Sequence, residues 1–73
     1  MKLYQVREIA PQAFGGRNLT FSYRAKGPRH AIKMVANRHG NPHYSTEDLY
    51  FNSYGDEALL RGYVYTAEEI AAA

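Results

Sequence analysis

His39 and His43 stand four residues apart, an interval that sets two metal ligands on one helical face. Gly40 and Pro42 lie between them and break any such helix, and the chain has no Cys to complete a ligand set. No metal or other cofactor is expected. Nucleophilic catalysis needs a base and an orienting group around a Ser or Thr inside a formed pocket; no spacing in the chain supplies that set, so the expectation is that the protein is not an enzyme. Arg61-Gly62-Tyr63-Val64-Tyr65 is similar to the aromatic strand of an RNA-recognition motif, whose rings stack on unpaired bases. The motif is incomplete and sits among carboxylates, so Tyr63 and Tyr65 read as packing residues of a sheet face. The side chains with most to offer a partner are the cations Arg24, Lys26, Arg29, Lys33 and Arg38, with Arg17 on a Gly-rich loop.

The elements that position those cations follow from local pattern. Lys2 to Ile9 carries Tyr4 and Val6 on one side and reads as a strand ended by Ala10-Pro11. Leu19 to Lys26 alternates without fault, placing Leu19, Phe21, Tyr23 and Ala25 inward and Thr20, Ser22, Arg24 and Lys26 outward. Gly27-Pro28 opens a helix, because a proline at the first helical position gives up only a bond that would be unmade anyway. Gly40 and Pro42 close it after about three turns. Ala31, Ile32, Val35 and Ala36 form its apolar stripe, with His30, Lys33 and Asn37 turned away and Arg29 and Arg38 at the boundary. Met34 is expected on the solvent side.

The second half reads less regularly. Leu49 to Ser53 suits a third strand closed by Gly55-Asp56, while Ser45 or Thr46 followed by Glu47-Asp48 equally fits a capped helical turn. Leu59 to Tyr65 reads as one last strand, with Leu60, Gly62 and Val64 on one side and Leu59, Arg61, Tyr63 and Tyr65 on the other. Thr66-Ala67-Glu68-Glu69 resembles a capping box. The order β-β-α-β-β predicts an α+β domain: a small, mostly antiparallel sheet with one helix packed on one face. It takes in residues 1–70, and Ala71-Ala72-Ala73 has the look of a cloning scar.

Seventy-three residues limit the chain to one small core. Hydrophobic residues at 45% and charged residues at 22% describe a folding composition rather than a disordered one. No apolar run is long enough to span a membrane, and the absence of Cys suits a cytoplasmic protein. The net charge of +2 hides a division. Residues 1–43 carry eight Lys and Arg against Glu8, or +7, and residues 44–73 carry Arg61 against six carboxylates, or −5. No carboxylate lies between Ile9 and Thr46, which suggests an anionic partner or steering toward one; the competing reading is that the two halves neutralise each other in the fold.

A nucleic acid could take five phosphate contacts from the cations, and would then show a log–log salt slope near −4.5, at about −0.9 per contact. A protein partner can meet both the basic and the acidic region, so the charges set its orientation. In length, lack of Cys, single helix over a small sheet and divided charge across residues 2–65, the chain resembles the small host-takeover proteins of lytic bacteriophages. The likeness is to the short regulators that bind bacterial RNA polymerase. It implies a monomeric transcription regulator of the host cytoplasm that contacts polymerase subunits and inhibits initiation or promotes antitermination. Small anti-CRISPR inhibitors share the same outline.

Overall fold

The computed structural model describes residues 1–39 and 45–70. Five strands and one helix follow in the order β1 (Lys2–Ile9), β2 (Asn18–Ala25), α1 (Pro28–His39), β3 (Tyr50–Phe51), β4 (Glu57–Leu60) and β5 (Tyr63–Glu69), with 3-10 turns at Gln12–Phe14 and Thr46–Asp48. The strands form one sheet in the order β2-β1-β5-β4-β3, antiparallel throughout. This is the expected α+β class, with the helix on one face.

Alternation decides which side chains meet the helix. On β1, Tyr4, Val6 and Glu8 are buried and the residues between them are not. Register carries that parity to Phe21 and Tyr23 on β2, to Tyr65 and Ala67 on β5, and through Tyr65 to Ala58 on β4. Against this face α1 packs Ala31, Ile32, Val35 and Ala36, all buried. Burying Ile32 and Val35 stabilises the fold by about 1.5–3 kcal/mol each. Met34 departs from expectation: it is partly buried and packs against the core rather than standing in solvent.

The largest departure lies between Leu59 and Tyr65. Arg61 and Gly62 both have positive φ, 49° and 91°, and Leu60 pairs with Tyr63. Two left-handed central residues make a type I′ hairpin turn, whose twist matches that of the strands it joins. One expected strand is therefore two, and the parity resets across the turn. Leu60, Tyr63 and Tyr65 share the helix side, and Leu59 and Val64 the other. Thr66 to Glu69 is not a helix start but the end of β5, paired with β1 from Arg7 back to Tyr4. The alternative at Ser45 is the one adopted, because its hydroxyl accepts from the Glu47 N–H at 3.2 Å and caps the turn, leaving β3 only two residues.

Candidate partner-binding surface

The sequence-predicted cations fall on two faces. Arg24 follows the parity of Ser22 on β2 and is exposed on the side away from α1, since its neighbour Ala25 is buried beneath the helix. The other four gather around α1. Lys26 lies in the β2–α1 connection, where its backbone N–H donates to His30 Nδ1 at 3.1 Å. Arg29 and Lys33 are one turn apart on the exposed side, and Arg38 occupies the opposite flank of the helix.

The two flanking arginines are held by rings. The Arg29 guanidinium lies 5.5 Å from the centre of Phe51, and its stem crosses Gly55 so closely that a Cβ there would come within 2.5 Å of Arg29 Cγ. The Arg38 guanidinium lies 5.5 Å from the centre of Tyr23. A cation over an aromatic face gains about 0.5–1 kcal/mol at exposed sites and remains available on its outer side. Lys33 is exposed on the helix between them.

Little intramolecular neutralisation reaches this surface. Among the described residues the ion pairs are Lys2 with Glu69 at 3.2 Å and Arg61 with Asp48 at 3.9 Å, both exposed. The Glu69 hydrogen bond and charge raise the Lys2 ammonium above its ordinary value. The halves thus meet at Lys2, but no described carboxylate pairs with Lys26, Arg29, Lys33 or Arg38.

A second cluster, which the sequence reading did not single out, lies at the other end of the helix-side sheet face. Tyr65 donates its hydroxyl to Glu8 Oε2 at 2.6 Å, and both residues are buried. Burial, and then the hydrogen bond to Glu8, hold the Tyr65 phenol well above the ordinary tyrosine value. Tyr65 stacks on Tyr63 at 6.4 Å, and Tyr63 on Phe14 of the first 3-10 turn at 6.2 Å. The signal for this pair was Glu8's parity with Tyr4 and Val6. Because Tyr65 is wholly buried on the helix side, its ring presents no face to a nucleic-acid base. The cluster serves as a polar tie in the core.

Among the described residues no group of three or more His, Asp or Glu could hold a metal ion, and no helix is long and apolar enough to cross a membrane. His43, the 40–44 connection and Ala71 to Ala73 lie outside the described residues. Comparison with family models, curated proteins and solved structures returned no match.

Proposed function

We infer that the domain is a non-catalytic regulator that docks the outer side of α1 on an acidic protein surface. The partner assigned to it is bacterial RNA polymerase in the host cytoplasm, on the strength of the resemblance to phage regulators. The observation that carries the docking is the row Lys26, Arg29, Lys33 and Arg38 around one helix, with no described carboxylate paired to any of them. Two of the four are already braced on Phe51 and Tyr23, so less side-chain freedom is lost when they bind.

Transcription from a sigma-dependent promoter through a terminator, with purified polymerase and increasing amounts of the protein, tests the reading. Fewer initiated transcripts or more readthrough is expected. The Lys33→Glu variant should need about tenfold more protein for the same effect, since it reverses a charge without removing a ring contact. Unchanged initiation and termination at saturating protein removes the polymerase assignment, and retention of DNA instead would move the same surface to nucleic acid.

A further inference from the structure

The sheet face opposite α1 has no element over it among the described residues, and register arranges its side chains in rows. One row runs Ile9, Val64, Leu59, Tyr50 across four strands. Leu59 is 54% and Tyr50 76% exposed, and a groove of about 240 Å³ opens at this edge beside Asn52 and Glu57. An antiparallel sheet with one face in water normally turns polar residues outward. This row does not.

The next row runs Thr20, Arg7, Thr66, Glu57. Arg7 on β1 and Glu57 on β4 flank β5 at two strand spacings, about 10 Å. Neither forms an ion pair among the described residues, and the Glu57 carboxylate receives only a long 3.5 Å hydrogen bond, from Asn52 Nδ2.

We propose that this face packs against the same face of a second copy, about a two-fold axis that passes over Val64 at about 15° to β5, half the usual crossing angle of packed sheets. β5 is the middle strand of five, so the rotation lays β1 of one copy over β4 of the other. Ile9 then meets Leu59 of the second copy, Val64 meets Val64 on the axis, and Arg7 meets Glu57 twice. The charge separation that is idle in one chain becomes self-complementary in two, as an isologous interface requires. Sheets packed face to face cross at about 30°. Over the four residues from Val64 to Glu68, roughly 13 Å of strand, that angle carries the two Glu68 side chains about 7 Å apart. At Arg7, two residues along the strand and one strand spacing aside from Val64, the displacement is about 4 Å, within reach of an arginine. Strand spacing and length give the face roughly 500 Å² of flat area, which side-chain relief enlarges toward the roughly 800 Å² per partner of a stable interface. In such a dimer both α1 surfaces point outward, and the inference stands whether or not α1 binds polymerase.

Sedimentation equilibrium up to about 1 mM chain tests it with two single reversals, Arg7→Glu and Glu57→Arg. The parent chain should dimerise, and each variant alone, carrying two like-charged contacts, should associate at least tenfold more weakly. Mixed in equal amounts, the two variants should recover the parent association, because the heterodimer sets an acid against a base at both contacts, the native Arg7–Glu57 pair at one and the two substituted side chains at the other. A fold defect in either variant cannot produce that recovery, and circular dichroism reports such a defect directly. Leu59→Lys, at an exposed position, should weaken association to a similar extent. A parent chain that stays monomeric throughout, or a mixture that associates no better than its components, overturns the interface.

Discussion

Tyr65 and Glu8 are tied together on adjacent strands β5 and β1, where a carboxylate without a donor would be costly. Tyr65→Phe should therefore destabilise by about 1–3 kcal/mol, a loss of roughly 4–8 °C in melting temperature per kcal/mol for a domain of this size. Replacing Glu8 by Leu in the same background should recover part of it, since an apolar pair strands no acceptor; thermal melts of the parent and both variants check this. The Tyr65 phenol also sets an alkaline limit. Its folded value lies above the unfolded one, so the folded chain keeps a proton that the unfolded chain releases. Stability from this group is complete below about pH 10 and falls as pH rises beyond it. Denaturant unfolding at pH 9 and 11 should show a smaller alkaline loss in Tyr65→Phe than in the parent. Gly55 is a second constrained position: with φ at 76° and the Arg29 stem where its side chain would stand, Gly55→Ala should cost more than 1 kcal/mol.

The hairpin between β4 and β5 places a non-glycine residue, Arg61, at φ 49°. Asn tolerates that conformation better than Arg, and Asn-Gly is the preferred type I′ pair. Arg61→Asn should thus raise stability by about 0.5–1 kcal/mol, read as a higher melting temperature with the same circular dichroism spectrum. The same residue explains why this region was illegible: Arg-Gly carries a weaker turn signal than Asn-Gly, so an apolar run on either side looks like one strand. Likewise Thr66 to Glu69 holds a local capping pattern that pairing with β1 overrides. α1 and β2 were legible because each has an unbroken period and, for α1, a proline at its start. The site was legible in part. Helical spacing grouped Arg29 and Lys33 correctly, but joining Arg24 to them disregarded the alternation that turns it away from Ala25 and the helix. Glu8 stood at a buried parity in the sequence, and only the distant pairing of β1 with β5 supplies its partner.

At the scale of the whole molecule, the two faces separate the functional readings. Arg24 and Arg7 lie on the open sheet face, whereas Lys26, Arg29, Lys33 and Arg38 surround α1 on the other side. A rigid duplex approaching α1 reaches at most four of the five sequence-predicted cations, so its salt slope is limited to about −3.6 rather than −4.5. A protein partner docked on α1 meets the same limit on contacts, but the steep salt term arises from counterions released by a phosphate backbone and is absent there. The prediction is therefore a pair of results on purified polymerase. Lys33→Glu should weaken binding about tenfold, chiefly by slowing association, as reversal of an exposed steering charge does. Arg24→Glu, on the far face, should leave affinity within about twofold, because a charge beyond the Debye length of about 10 Å at 0.1 M salt is largely screened. Binding measured by surface plasmon resonance checks both. Equal losses from the two reversals would mean that the partner wraps both faces, which a single docked α1 surface does not allow.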